Sequence, residues 1–228
     1  PDHIRGQHDQ GPLHRRIAAG PIVHDGERAS RALAELEHRC AATPDLAGLG
    51  ALVAMPVVRG LLAGIFGASP YLASLMERNP ASLQRALAGS PERRFAELVD
   101  ELDSAIDTAD STAEAMRTLR QFKAEIALLI ALSDLGAVWP VMTAARRLSE
   151  AADAAVAAAV RFLFRQAHEK GDWLAPEPQG YIVLAMGKHG AFELNYSSDI
   201  DLIVFYDPER AQLAARIEAP TFFVTKRL

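Results

Sequence analysis

Apolar residues recur at helical spacing along most of this chain, and only beyond residue 170 does the texture change to short, nearly continuous apolar runs. From Glu27 to Ala42, Leu33, Leu36 and Cys40 fall on one stripe of a helix. Asp45, after Pro44, marks the start of the next. Pro56, Pro70, Pro80 and Pro91 then punctuate the pattern. Each is expected in the first turn of a short helix, where the missing N–H has no intrahelical partner to lose. Two longer helices are predicted over about 112–135 and 138–170. Ser111 or Thr112 is placed to cap the first, the alanine-rich stretch Ala151–Ala159 suits close packing in the second, and Gly171 ends it.

The segment Gly171-Asp-Trp-Leu-Ala-Pro-Glu-Pro-Gln-Gly180 is rich in breakers. After it, Tyr181–Met186 and the run around Asp199–Phe205 read as two β-strands, with one helical turn expected at Ala191–Asn195 between them. Asp207 and Pro208 end the second strand, and helices are expected over 209–217 and 218–228. The predicted fold class is therefore α+β: a helical bundle followed by the start of an α/β domain with a truncated sheet. The expected order is an irregular segment over 1–27, a helical domain over 28–170, a linker over 171–179 and the α/β part over 180–228.

At 228 residues and 50% hydrophobic, the chain can bury a real core. A formal net charge of −5 argues against bulk, sequence-independent attraction to nucleic acid or an anionic membrane. Cys40 is the single cysteine, so neither an internal disulfide nor a cysteine zinc pattern exists, which fits a reducing compartment. The first residues lack the apolar centre of a signal peptide, and no apolar run reaches membrane-spanning length. A cytoplasmic location is expected. A first residue other than methionine and an amphipathic pattern running to Leu228 point to a portion of a longer polypeptide.

The chemistry concentrates between Gly187 and Phe205. Asp199 and Asp201 stand two apart among strand formers, so both carboxylates are expected on one side of the strand. Two such oxygens suit Mg²⁺, which keeps waters and substrate phosphates in the rest of its shell. Gly187 and Gly190 let backbone amides approach a phosphate, Lys188 adds positive charge, and Ser197 and Ser198 offer hydroxyls to a phosphate oxygen or a neighbouring carboxylate. An isolated Asp-x-Asp is more often surface charge on an edge strand. Here the polar run Asn195–Asp199 leads straight into an apolar strand, and a strand-Gly-Lys turn stands next to it, which favours a site. Glu193 reads as a surface residue of a turn and Asn195 as a partner of turn backbone. The histidines, His189 included, read as structural or solvent-facing, and Trp139 and Trp173 as packing residues.

These residues resemble the nucleotidyltransferase superfamily, whose pattern is a strand, a Gly-Ser or Gly-Lys turn, then Asp-x-Asp on the next strand. More narrowly, Met186-Gly-Lys-His-Gly-Ala-Phe-Glu-Leu-Asn-Tyr-Ser-Ser-Asp-Ile-Asp-Leu-Ile resembles the glutamine synthetase adenylyltransferase/adenylyl-removing enzyme family. Ile65-Phe-Gly-Ala-Ser-Pro-Tyr-Leu-Ala-Ser-Leu, with Arg78-Asn-Pro80, is similar to the same family's early helical region, so the likeness covers residues 45–228. The resemblance implies phosphorolysis of an AMP–tyrosine bond on glutamine synthetase to ADP and unmodified enzyme, in the first of two catalytic copies. The full-length enzyme would also attach AMP from ATP. It further implies Mg²⁺, an ATP or ADP nucleotide, glutamine synthetase and a PII signalling protein as partners, and no nucleic acid or membrane. By the same resemblance Asp199 and Asp201 are catalytic metal ligands, and Gly187, Lys188, Ser197 and Ser198 bind nucleotide or phosphate.

His189 and Phe192 depart from the family pattern, which has Leu and often Arg or Gly there. The family's third carboxylate comes from a later strand, so this stretch by itself is expected to be inactive. Two other readings remain open at this point: a different Mg²⁺-dependent nucleotidyltransferase, and a non-catalytic module whose helical block over 45–170 docks a partner while the carboxylates sense metal or nucleotide.

Overall fold

The computed structural model describes residues 11–175, 177–207, 209, 210 and 214. Its first element lies inside the stretch expected to be irregular: Leu13–Arg16 form a single turn, α1, because Leu13 is wholly buried and its N–H reaches the Gly89 carbonyl at 2.8 Å. Helix α2 (Gly26–Ala42) is N-capped by Asp25, whose carboxylate accepts from the Arg28 N–H at 2.9 Å, and it buries Leu33, Leu36 and Cys40 as their spacing predicts. A 3₁₀ turn, Pro44–Leu46, leads into α3 (Ala47–Val53).

The next four helices start on the four prolines: α4 (Pro56–Ala68), α5 (Pro70–Arg78), α6 (Pro80–Ala88) and α7 (Pro91–Thr108). Ser69 and Asn79 cap α5 and α6 by accepting from the N–H groups of Leu72 at 3.3 Å and Ser82 at 3.1 Å. Helix α8 (Thr112–Leu135) begins behind Ser111, whose hydroxyl accepts from the Glu114 N–H at 3.2 Å. Helix α9 (Val141–Glu169) starts later than residue 138, because the N–H groups of Val138 and Trp139 both donate to the Ser133 carbonyl, at 2.8 and 3.0 Å, and this reversal delays the new helix until Pro140.

The packing falls into two compact units, one running to Leu98 and including Lys123–Arg147, the other made of Val99–Phe122 and the chain from Leu148 onward. In the first, α2 packs on α4, and Leu49 of α3 with Val58, Leu62, Ile65 and Phe66 of α4 are buried. A Cβ on Gly64 would sit 2.3 Å from the Pro21 carbonyl oxygen, so glycine is what lets that strand of backbone cross α4. Among the described residues no single helix is long and apolar enough to cross a membrane; the apolar pair Pro44–Val53 and Pro56–Ala68 is bent by 95°.

A half-buried ion pair ties the same unit together over long sequence distances. The Glu92 carboxylate, in the first turn of α7, accepts from Arg16 at 2.7 and 3.0 Å, from the Trp139 indole at 2.8 Å and from the Ser90 hydroxyl at 3.0 Å. Burial alone would raise its pKa; the hydrogen bonds from Arg16, Trp139, its own backbone amide and Ser90 outweigh that and hold it at about 2.

In the second unit, β1 (Tyr181–Met186) and β2 (Asp201–Tyr206) form an antiparallel ribbon, with Tyr181 opposite Tyr206 and Met186 opposite Asp201. The helical turn between them, α10, is Gly187–Gly190, rather than the expected Ala191–Asn195. The helix expected over 218–228 lies outside the described residues, as does most of that over 209–217.

Candidate functional site

Alternation along the ribbon gives it two unlike faces. Tyr181, Val183, Ala185 and Leu202 line a cleft of about 390 Å³ against Val156, Ala157 and Val160 of α9. Ile182, Leu184, Met186, Ile203 and Phe205 stand on the opposite face, each at least two-fifths exposed. Asp201, opposite Met186, belongs to this open face.

Both ends of the ribbon are anchored to α9. At the Tyr181 end, Phe164 makes edge contacts with Trp173 at 4.7 Å and Tyr181 at 4.9 Å, and Trp173 is fully buried. Burial there raises the Tyr181 pKa. At the Met186 end, His189 is buried and its Nε2 lies 2.9 Å from Asp153 Oδ1. Residues 153–164 of a helix rise about 16 Å, and the strand 181–186 extends about 17 Å. The match in length lets one helix hold both ends.

Gly187 leaves β1 with φ +55°, a left-handed conformation that a side chain disfavours. A Cβ built there would lie 3.6 Å from Asp201 Oδ2. The turn and the carboxylate that the sequence set fourteen positions apart are thus neighbours at the open end of the ribbon. Gly190 serves a different end from the expected one: its Cβ would lie 2.5 Å from the Ala185 carbonyl oxygen, so glycine allows α10 to fold back over β1. Amides of Ala191, Phe192 and Glu193 close the turn on the carbonyls of Gly187, His189 and Lys188, at 3.1, 3.0 and 2.8 Å.

The two aspartates are not both in the strand. Asp201 is the first residue of β2, and Asp199 lies two residues before it. The reason is the register: Met186 takes Asp201 as its partner, Gly187 then turns β1 away, and nothing is left for Ile200 or Asp199 to pair with. Both carboxylates are exposed, as are Gly187 and Lys188. Ser197 and Ser198 are engaged inside the preceding turn. The Ser197 N–H and hydroxyl both donate to Asn195 Oδ1, at 3.0 and 3.1 Å, and the Ser198 hydroxyl accepts from the Asn195 N–H at 3.1 Å. Asn195 therefore does satisfy turn backbone, as its type predicts.

Among the described residues no group of three or more His, Cys, Asp or Glu side chains is placed to hold a metal. The donor set that is present is the exposed Asp201 carboxylate beside the glycine turn, with a second exposed carboxylate, Asp199, two residues earlier in the chain. It suits a hard cation that takes few protein oxygens and completes its shell with water and phosphate.

Sequence reasoning leaves His189 as structural or solvent-facing and does not single out the two α9 residues beneath the loop. His189 reads as a lone histidine, yet it is buried on Asp153. One turn earlier on α9, the buried Ser149 hydroxyl accepts from the Leu194 N–H at 3.4 Å. A Ser and an Asp four apart on one helix face are a visible signal, but nothing local connects them to residues about 40 positions away.

The family model for glutamate-ammonia ligase adenylyltransferase matches residues 60–227. The chain belongs to this family. Among curated adenylyltransferase relatives, it is 45% identical over 230 residues to a bifunctional glutamine synthetase adenylyltransferase/adenylyl-removing enzyme of Bradyrhizobium sp., covering 96% of this chain and 23% of that protein. It is 44% identical to the enzyme of that name from Rhodopseudomonas palustris, covering 95% of this chain and 22% of that protein. A third, from Xanthobacter autotrophicus, is 38% identical over 95% of this chain. The chain thus spans less than a quarter of the length of these adenylyltransferase relatives.

Proposed function

We propose that this chain forms the metal- and phosphate-binding front of the adenylyl-removing site of a glutamine synthetase adenylyltransferase. The reaction is attack of a phosphate oxygen on the phosphorus of an AMP–tyrosine bond, with the P–O bond to tyrosine breaking and the tyrosine oxygen taking up a proton, giving ADP and unmodified glutamine synthetase. The full-length enzyme also runs adenylylation from ATP, under a PII signalling protein, in the cytoplasm and without nucleic acid or membrane. The observation that carries this reading is the meeting of the Gly187 turn with the Asp201 carboxylate at the open end of the ribbon.

Asp199 and Asp201 would hold Mg²⁺, which supplies neutralisation of charge on the phosphate oxygens. Gly187 leaves room for a phosphate beside Asp201, and Lys188, exposed on the same turn, supplies a compensating positive charge. The Ser197 hydroxyl reaches phosphate only by giving up its bond to Asn195, whereas the Ser198 hydroxyl accepts from the Asn195 N–H and keeps its own proton to donate; the first contribution of both is to hold the turn that delivers Asp199. The rest of the work is positioning, as nucleotidyl transfer at metal-held phosphates requires. The removing direction is supported by the helical segment that precedes the site, an order like that of the family's first catalytic copy.

The test uses the full-length enzyme and glutamine synthetase carrying labelled AMP. Asp201→Asn and Asp199→Asn should each abolish phosphate-dependent release of the label. Release at the wild-type rate from either variant removes the assignment.

A further inference from the structure

We infer that His189 and Asp153 form a positioning device that clamps the Gly187–Gly190 turn to α9 and so sets where Gly187 and Lys188 meet a phosphate. This rests on the reading of that turn as the phosphate-binding element. His189 is 2% exposed, while the Asp153 carboxylate sits at the rim, 52% exposed. With Nε2 turned to the carboxylate, that nitrogen carries the donated proton, and Nδ1 is left buried with no partner among the described residues. Burying an imidazole with one nitrogen unsatisfied is unfavourable, and an aliphatic side chain would fill the same slot at lower cost. What an aliphatic side chain lacks is direction. The imidazole fixes the middle of a four-residue turn to a rigid helix, and its own carbonyl accepts from the Phe192 N–H at 3.0 Å, so a shift of the ring moves the turn.

The clamp has a second point on the same face of α9. Ser149, one helical turn before Asp153, holds the Leu194 N–H at 3.4 Å, and Leu194 is buried. Two residues of one helix therefore grip the loop on either side of Ala191–Glu193. Gly187, Lys188 and Gly190, around His189, are all exposed, so the buried histidine is the inward anchor of the turn.

The experiment uses the full-length enzyme with His189→Leu, Asp153→Ala, the double variant, and His189→Gln, whose amide nitrogen can reach the position of Nε2. Three quantities are read: kcat and KM for phosphate-dependent AMP release, the melting temperature, and hydrogen exchange of the 187–194 amides. His189→Leu and Asp153→Ala should each lower kcat about tenfold, since small misplacements of a reacting group are costly. The double variant should be no worse than either single one, because both remove the same bond. His189→Gln should recover most of the loss, and exchange of the Ala191, Phe192 and Glu193 amides should quicken in the first three variants while the melting temperature barely moves. Additive losses, losses that track melting temperature without rescue by Gln, or normal kcat with normal exchange would each overturn the clamp. Asp201→Asn run alongside separates the two ideas. If it turns over normally, the metal-site reading fails and the exchange data alone decide the clamp; if it is dead while His189→Leu behaves as wild type, only the clamp fails.

Discussion

Replacing Glu92 by Gln should expose how much of the first unit's stability rests on one carboxylate. In the folded protein four side-chain hydrogen bonds from Arg16, Trp139 and Ser90 end on Glu92, and its pKa drops from 4.5 to about 2. That drop corresponds to at most about 3 kcal/mol of stabilisation at neutral pH. Gln keeps one acceptor oxygen and presents an NH₂ to donors, so the Arg16 fork loses its match and a largely buried guanidinium loses its charge partner. Because the folded pKa lies below the unfolded one, the contribution is complete above about pH 5.5, shrinks as the pH falls through 4.5, and is gone below the folded value near 2. Urea unfolding followed by tryptophan fluorescence, at pH 7 and pH 3, measures it. The gap between wild type and Glu92→Gln should be about 3 kcal/mol at pH 7 and about 1 kcal/mol at pH 3. A gap under about 1 kcal/mol at pH 7, or one of equal size at both pH values, refutes the argument.

Gly187→Ala should lose about 1 kcal/mol of stability from its positive φ and, with a methyl group 3.6 Å from the Asp201 carboxylate, most of its AMP-releasing turnover in the full-length enzyme; unaltered kcat would show that the turn does not serve the phosphate. Gly64→Ala, whose Cβ meets the Pro21 backbone at 2.3 Å, should cost about 1–3 kcal/mol in urea unfolding. Gly60→Ala, on the same helix with nothing within 4 Å, should be neutral or stabilising by up to about 1 kcal/mol, and equal effects at the two sites would rule out the close approach as the cause. Asn79→Ala, which removes the α6 cap at Ser82, should lower stability by about 1 kcal/mol, a change read directly from the shift in unfolding midpoint.

Features that depend on neighbours along the chain are legible in the residues alone. Prolines set the starts of α4 to α7, Ser69 and Asn79 the caps of α5 and α6, an apolar run the bounds of β1, and the glycine after it the turn, since dihedral preference and local hydrogen bonding act within a few residues. The Gly-Lys turn and the Asp-x-Asp stand close together in the sequence, and that stretch lies within the match to the family. The rest came from packing. Period-two alternation assumes a strand, and whether Asp199 lies in one depends on the register with β1, which ends at Met186. Which ribbon face turns to α9, and which carries Asp201 into the open, is fixed by anchors at both ends of the ribbon. His189 meeting Asp153, and Arg16 and Trp139 meeting Glu92, join residues 36, 76 and 47 positions apart. No local preference encodes such pairs, because they exist only once packing has brought their helices and turns side by side.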